Sequence, residues 1–266
     1  MRRILHLSDL HFGRTRPELL DPLVDTINSI APDIVVMSGD YTQRARVSQY
    51  QEARAFLDRL RVPVLSVPGN HDTPLDNLWL RFIRPWTRYK RYISTDLEPV
   101  FADAEVHIVG VNTVNRFAWQ RGKIGRHTVN RVCAAFNDPT SPEAKIVALH
   151  HPLEHMEDTD KRLTRGANDA VEALGQCGAD IVLSGHLHST VAAPFTAAPG
   201  VLFVQAGTGL STRLRGETNT FNLLTIDGDQ LQIDRYSAET EPVFAITATS
   251  RFLKSAAGWQ RLSAAE

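Results

Sequence analysis

Short apolar runs alternate with segments of helical period along the first two thirds of the chain. Residues 4–8 form a run of the first kind, and Leu20, Leu23, Val24, Ile27 and Ile30 recur at helical spacing in a segment opened by Pro17 and Glu18. Pro32 separates that helix from the run 34–37. Ser48 is placed to cap a helix reaching Leu60, with Phe56, Leu57 and Leu60 on one face, before the run 64–67. Strands that are apolar without alternation are buried on both faces, which calls for helices on each side of a sheet. The rhythm continues with strands at 106–111, 146–149 and 181–184 and helices near 127–136 and 168–177. After His188 it gives way to hairpins, with strands at 202–205, 221–226 and 231–236 and a turn at Asp227-Gly228-Asp229. The pattern predicts an α/β fold, a four-layer sandwich of two sheets flanked by helices. Residues 1–266 read as one domain in which 73–105 contribute a small cap; the segment 243–266 has no place in the pattern.

With 42% hydrophobic and 22% charged residues, 266 residues suffice for a substantial core. The 29 basic and 30 acidic residues leave a net charge of −1, so no global field recruits nucleic acid or an acidic membrane, and any preference for anions is local. Cys133 and Cys177 are too few for a disulfide framework; a single bridge stays open, but reduced thiols in a cytoplasmic protein are the expectation. The apolar stretch after Met1-Arg2-Arg3 is broken at His6, Asp9 and His11, so it does not read as a signal peptide. No run approaches the roughly 18 apolar residues of a membrane span.

Chemistry enters where the runs stop. Asp9-Leu10-His11, Gly39-Asp40, Gly69-Asn70-His71-Asp72, His150-His151-Pro152 and Gly185-His186-Leu187-His188 each follow an apolar strand, so their side chains converge on one rim of a sheet. In extended backbone residues i and i+2 share a side, which lets Asp9 with His11, and His186 with His188, present paired ligands. Glycine ahead of the ligand permits the tight turn at the strand end. Together the five words supply enough oxygen and nitrogen for two metal ions. Carboxylate, amide and imidazole donors without cysteine suit Mn²⁺, Fe²⁺ or Fe³⁺, or Zn²⁺.

The five words in this order resemble the calcineurin-like metallophosphoesterase superfamily. The Gly-Asn-His-Asp and Gly-His-x-His forms look most like its bacterial branch of class III cyclic nucleotide and glycerophosphodiester phosphodiesterases. The resemblance implies one metal held by Asp9, His11, Asp40 and His188 and a second by Asp40, Asn70, His150 and His186, with Asp40 bridging. His150 fits the family's His-x-Pro ligand position, and His151 is the intervening residue. Two divalent ions, both aspartates and a bridging hydroxide leave about one net positive charge, which favours a phosphate anion. Such a pair activates a shared water for in-line hydrolysis of a small-molecule phosphodiester. The resemblance further implies that His71 protonates the leaving oxygen and that Asp72 orients its imidazole. Family hydrolases of the lipid A precursor commonly carry Arg where His71 stands.

Specificity must come from loops. Between Asp72 and Glu105, Arg81, Arg84, Arg88, Lys90 and Arg91 are interleaved with Trp79, Phe82, Trp86, Tyr89 and Tyr92. The stretch reads either as a cap over substrate or as an amphipathic helix with snorkelling cations. Arg14 is a further phosphate contact or a surface charge, and Arg213 and Arg215 follow a glycine-rich segment without a nucleotide-binding pattern. His6 and His107, inside strands, read as core histidines. A phosphodiesterase is the leading reading. The alternatives are a phosphomonoesterase, a pyrophosphate hydrolase of a nucleotide-linked lipid of the UDP-diacylglucosamine type, or a metal-binding scaffold without catalysis. No stable nucleic acid partner is expected, because family nucleases are longer and carry additional domains.

Overall fold

The computed structural model describes residues 1–137, 144–155 and 161–263. In chain order the first half runs β1 (Arg2–Leu7), α1 (Leu20–Ile30), β2 (Ile34–Met37), α2 (Val47–Leu57), β3 (Val64–Ser66), α3 (Leu78–Ile83), α4 (Thr87–Tyr92), β4 (Val100–Ala102) and β5 (Val106–Val111). The second half runs α5 (Arg126–Phe136), β6 (Ala144–Leu149), α6 (Ala167–Gln176), β7 (Ile181–Ser184), β8 (Val191–Pro194), β9 (Leu202–Gln205), β10 (Asn219–Asp227), β11 (Gln230–Ala238), β12 (Ala245–Ser255) and β13 (Gly258–Leu262).

Among the described residues the strands form a seven-stranded sheet, β13-β12-β11-β10-β1-β2-β3, and a six-stranded sheet, β4-β5-β6-β7-β9-β8. Pairing is parallel through β1-β2-β3 and through β5-β6-β7-β9, and antiparallel strands extend both sheets. Successive side chains of these strands face opposite sides, and both sides are apolar. Ile4, Val36, Ile108, Ile146 and Leu183 fill a core between the sheets. Their neighbours Leu5, Val35 and Met37 cluster with Leu23, Ile27 and Phe56 of α1 and α2. On the far side Val109, Val147 and Phe203 cluster with Val132, Phe136 and Leu174 of α5 and α6. Four layers result, as the apolar runs predict. Each fully buried aliphatic side chain contributes roughly 1.5–3 kcal/mol relative to exposure, which makes the strand ends a rigid platform.

Of the segment 243–266, the described residues 243–263 find their place at the edge of the larger sheet, where β12 and β13 continue the antiparallel ladder, and 264–266 lie outside the described residues. Phe252 and Trp259 join the inter-sheet core, and the Trp259 Nε1–H donates to the Asp180 carbonyl at 3.0 Å. In the stretch 73–105, α4 lies against α2, and Tyr89 is buried beside Tyr41 with ring centroids 6.1 Å apart.

Two local expectations are corrected. Ser48 lies inside α2 and does not cap it; the longer Gln49 side chain reaches back, its Oε1 accepting from the Arg44 and Arg46 amides at 2.9 and 3.4 Å. Cys133 and Cys177 are joined in a disulfide and are not free thiols, because the packing of α5 on α6 brings their Cα atoms to 5.3 Å, within the span a disulfide bridges.

Candidate metal centre

The C-terminal ends of the parallel strands of both sheets meet along one rim, the position where open α/β sheets place ligand sites. β1 leads to Asp9 and His11, β2 to Asp40, β3 to Asn70 and His71, β6 to His150 and His151, and β7 to His186 and His188. Backbone hydrogen bonds join these loops. The Asp9 and His11 amides donate to the Gly39 and Asp40 carbonyls at 3.0 Å, and the Gly185 amide donates to the His150 carbonyl at 3.1 Å. The His186 amide donates to Asp9 Oδ2 at 2.9 Å and so ties one sheet to the other.

The rim is also where the backbone is most unusual. Among the described residues seven non-glycine residues have positive φ, and five of them are Asp9, His11, Asp40, His186 and His188, at 52–74°. A side chain in this region costs roughly 1–3 kcal/mol and persists where its surroundings over-determine it, which the packed strands beneath achieve here. Gly39, at φ +95°, makes the approach possible: a Cβ there would stand 2.8 Å from His150 Nδ1 and 2.9 Å from Gly69 Cα.

Two overlapping groups of ligand atoms result. In the first, Asp9 Oδ1 lies 3.4 Å from His11 Nε2 and 3.1 Å from His188 Nε2, and the two nitrogens are 3.1 Å apart. In the second, His150 Nε2 lies 3.2 Å from Asn70 Oδ1 and 3.3 Å from His186 Nδ1. Asp40 Oδ2 belongs to both, 3.8 Å from His11 Nε2 and 3.4 Å from His150 Nε2. All seven residues that the sequence singles out for metal are buried and brought together. His151 stands close by, its Nδ1 2.8 Å from Thr113 Oγ1 and its ring 4.7 Å from that of His186, and it forms a possible ligand group with His150 and His186.

The donor set fits a cation. The His150 Nδ1–H donates to the Ser38 carbonyl at 2.7 Å and the His188 Nδ1–H to the Arg213 carbonyl at 2.8 Å, which leaves both Nε2 lone pairs aimed inward. Asp9 Oδ1 is buried without an aligned donor among the described residues, although two ring nitrogens crowd it. Atoms bound about 2.0–2.2 Å from one ion stand roughly 3–3.5 Å apart, the spacing of the pairs in both groups except Asp40 Oδ2 to His11 Nε2, which is wider at 3.8 Å. Burial opposes ionisation of the two aspartates. The imidazoles of His188 and His11 around Asp9, and of His150 and His71 around Asp40, nevertheless hold both carboxyls well below the usual range. Against its own burial, His150 is raised to about 9 by Asp40.

His71 is only partly buried and lies at the edge of this cluster. Its Nδ1–H donates to the Gln43 carbonyl at 2.7 Å, and its Nε2 faces the Arg213 guanidinium at 3.1 Å. Burial pushes its pKa down to about 4. Asp72 does not orient this imidazole, contrary to the expectation from sequence. Its carboxyl accepts from the amides of Gly69, Tyr41 and Thr42 at 3.0, 3.3 and 3.0 Å and from Thr42 Oγ1 at 3.1 Å, which braces the loop after β2 against the loop after β3. The physical reason is the 3₁₀ turn Asn70–Asp72, from which neighbouring side chains diverge. Burial, then Asp40, pushes the Asp72 carboxyl up to about 7. Arg213, which the sequence marks only by the glycine-rich segment before it, has a role that sequence reasoning misses: it fixes His188 through its carbonyl and meets His71 through its side chain, from a loop 142 positions beyond His71. Arg14 is exposed.

Residues 2–190 match the family profile described as calcineurin-like phosphoesterase, and the chain belongs to that family. Its rim of histidine, aspartate and asparagine is a dinuclear-type centre of a metallophosphoesterase. Among curated relatives, the glycerophosphodiester phosphodiesterase GpdQ of Enterobacter lignolyticus is 30% identical over 171 residues, 56% of each chain. The UDP-2,3-diacylglucosamine pyrophosphatase LpxG of Chlamydia trachomatis is 37% identical over 73 residues, 26% of this chain and 22% of that one. The matches thus span about half and about one fifth of those relatives. A dimetal phosphatase from Danio rerio shares the fold with a TM-score of 0.68 at 12% identity, over 93% of this chain and 99% of that one. Purple acid phosphatase PPD1 of yellow lupin does so with 0.65 at 15%, over 93% and 53%.

Proposed function

We propose that this protein is a phosphodiesterase, with Asp9, His11, Asp40 and His188 holding one divalent ion and Asp40, Asn70, His150 and His186 holding a second. The observation that carries the reading is Asp40 Oδ2, which lies within 3.8 Å of His11 Nε2 in one group and 3.4 Å of His150 Nε2 in the other. Ions held there would supply Lewis-acid polarisation of the phosphoryl group and an activated water. The chain's own residues complete the reaction. Arg213 offers a guanidinium to a phosphoryl oxygen; His71, neutral in the free site with its Nε2 lone pair facing Arg213, takes up a solvent proton at Nε2 once that guanidinium turns to the anionic substrate, and passes it to the departing alkoxide while the Gln43 carbonyl holds Nδ1. Diester chemistry is supported by the relatedness to a glycerophosphodiester phosphodiesterase, and histidine at position 71 weighs against the nucleotide-linked lipid alternative.

The test compares bis(p-nitrophenyl) phosphate with p-nitrophenyl phosphate on Mn²⁺-loaded protein. The diester should be turned over with at least tenfold higher kcat/KM, and a chelator should abolish the activity until metal is restored. Preference for the monoester overturns the diester assignment. No turnover of either substrate by a loaded centre overturns hydrolysis in favour of a binding scaffold.

A further inference from the structure

Helix α3 is built inside out. Its one charged residue, Arg81, is 4% exposed, whereas Leu78, Trp79 and Ile83 are 60–63% exposed and Phe82 37%. An amphipathic helix serving only the fold would turn the opposite face inward. The burial of Arg81 is specific. Its guanidinium donates to the Arg116 carbonyl at 3.1 Å, the Ala118 carbonyl at 2.9 Å and Thr73 Oγ1 at 2.7 Å, clamping the loop 114–121 beside the helix. That loop adds Phe117 and Trp119, 73% and 64% exposed, and Phe117 stacks on Phe82 with centroids 5.8 Å apart. Six large apolar side chains thus form one solvent-facing surface, larger than scattered exposed residues require.

The charge around it is mainly positive, and the exposed Asp76 just ahead of α3 is paired with Arg88 at 3.2 Å. The segments 77–93 and 114–126 contain nine lysines and arginines and no acidic residue, in a chain whose net charge is −1. Exposed Arg84 and Arg121 flank the surface, and Arg116 lies over the Phe117 ring at 4.9 Å. A second copy of the chain docked symmetrically would set these cations against each other. Single-stranded nucleic acid would stack on a run of open rings, whereas Phe82 and Phe117 already cover one another, Leu78 and Ile83 offer no stacking plane, and Trp79 and Trp119 alone remain open.

We propose that this surface docks the protein on an anionic phospholipid bilayer. The aromatic and aliphatic side chains enter the boundary between headgroups and acyl chains, and the guanidinium rim meets lipid phosphates. The surface is rigidly coupled to the centre: Thr73 Oγ1, which accepts from Arg81, itself donates to the Asn70 carbonyl at 2.9 Å. Delivery of a lipid-borne phosphoester to the centre rests on the function proposed above; docking does not.

The experiment is co-sedimentation of the metal-loaded protein with phosphatidylcholine vesicles, with and without phosphatidylglycerol. Binding should be at least about tenfold tighter with phosphatidylglycerol and weaken with salt. The double substitution Phe117→Ser, Trp119→Ser should lower it at least tenfold, and Arg116→Glu roughly fivefold or more, with hydrolysis of soluble bis(p-nitrophenyl) phosphate kept within twofold. Absence of vesicle binding, or equal binding by the double variant, overturns the proposal. So does self-association or single-stranded DNA binding that the double substitution abolishes while vesicles are ignored. Vesicle binding by a protein inert toward the soluble diester leaves docking standing and removes the proposed activity.

Discussion

At the strand-end rim seven polar side chains are buried above an apolar frame, whereas on α3 four apolar side chains stand in solvent above a buried arginine. Both regions reverse the usual partition, and both do so at an energetic disadvantage to folding. The rim holds Asp9, His11, Asp40, His186 and His188 in left-handed backbone and leaves Asp9 Oδ1 without an aligned donor. The α3 face forgoes apolar burial. The difference lies in what would relieve each: a cation compensates buried oxygens and lone pairs, and an apolar, anionic phase compensates exposed rings among cations. A reversal of the ordinary pattern therefore points to its missing partner by the sign of the reversal.

The largest expected effect falls on the rim. Asp40→Ala should reduce hydrolysis by about 10³-fold or more, the scale on which metal-activated chemistry is lost, while circular dichroism shows the fold retained. Residual activity within tenfold of wild type would break the shared-carboxylate account. Next comes His71→Ala. For a diester with an alkyl leaving group the rate should fall by about 10²–10⁴, and for p-nitrophenyl esters, whose leaving group needs no proton, much less. An equal loss for both, with metal content unchanged, would make His71 a positioning residue.

Away from both regions the disulfide provides a neutral reference. The bridge closes a separation of 44 residues, so Cys133→Ser should lower unfolding free energy by about 2–4 kcal/mol without altering kcat. A denaturation midpoint indifferent to reductant would contradict it. The smallest effect is Arg81→Met, expected to cost roughly 1–3 kcal/mol through three lost hydrogen bonds to a charged donor. It should also loosen the loop 114–121, readable as faster amide exchange at Arg116 and Ala118; unchanged exchange there would show that the clamp is dispensable.

Much of the rim is legible in the sequence because strand ends are local: an apolar run followed by glycine and a ligand is visible within a few residues. The four layers follow from the same runs. The edge hairpin is not legible, because β12 has a single fully buried residue, Phe252, and hence no period-two signal. The disulfide depends on how α5 meets α6, and the actual partner of the His71 imidazole depends on Gln43 and Arg213, which come from other loops. The identity of the buried residue on α3 is likewise invisible, since spacing alone assigns Arg81 to solvent and the rings around it to a cap or core. What the sequence cannot carry is contact between elements distant along the chain.

Metal stoichiometry tests the central claim most directly. Protein stripped with a chelator, reloaded with Mn²⁺ and analysed for elemental content should hold two ions per chain, and Asp40→Ala should lose occupancy at both positions together. Two ions in wild type with near-normal occupancy in the variant, or a single ion in wild type, would contradict a dinuclear centre built around Asp40.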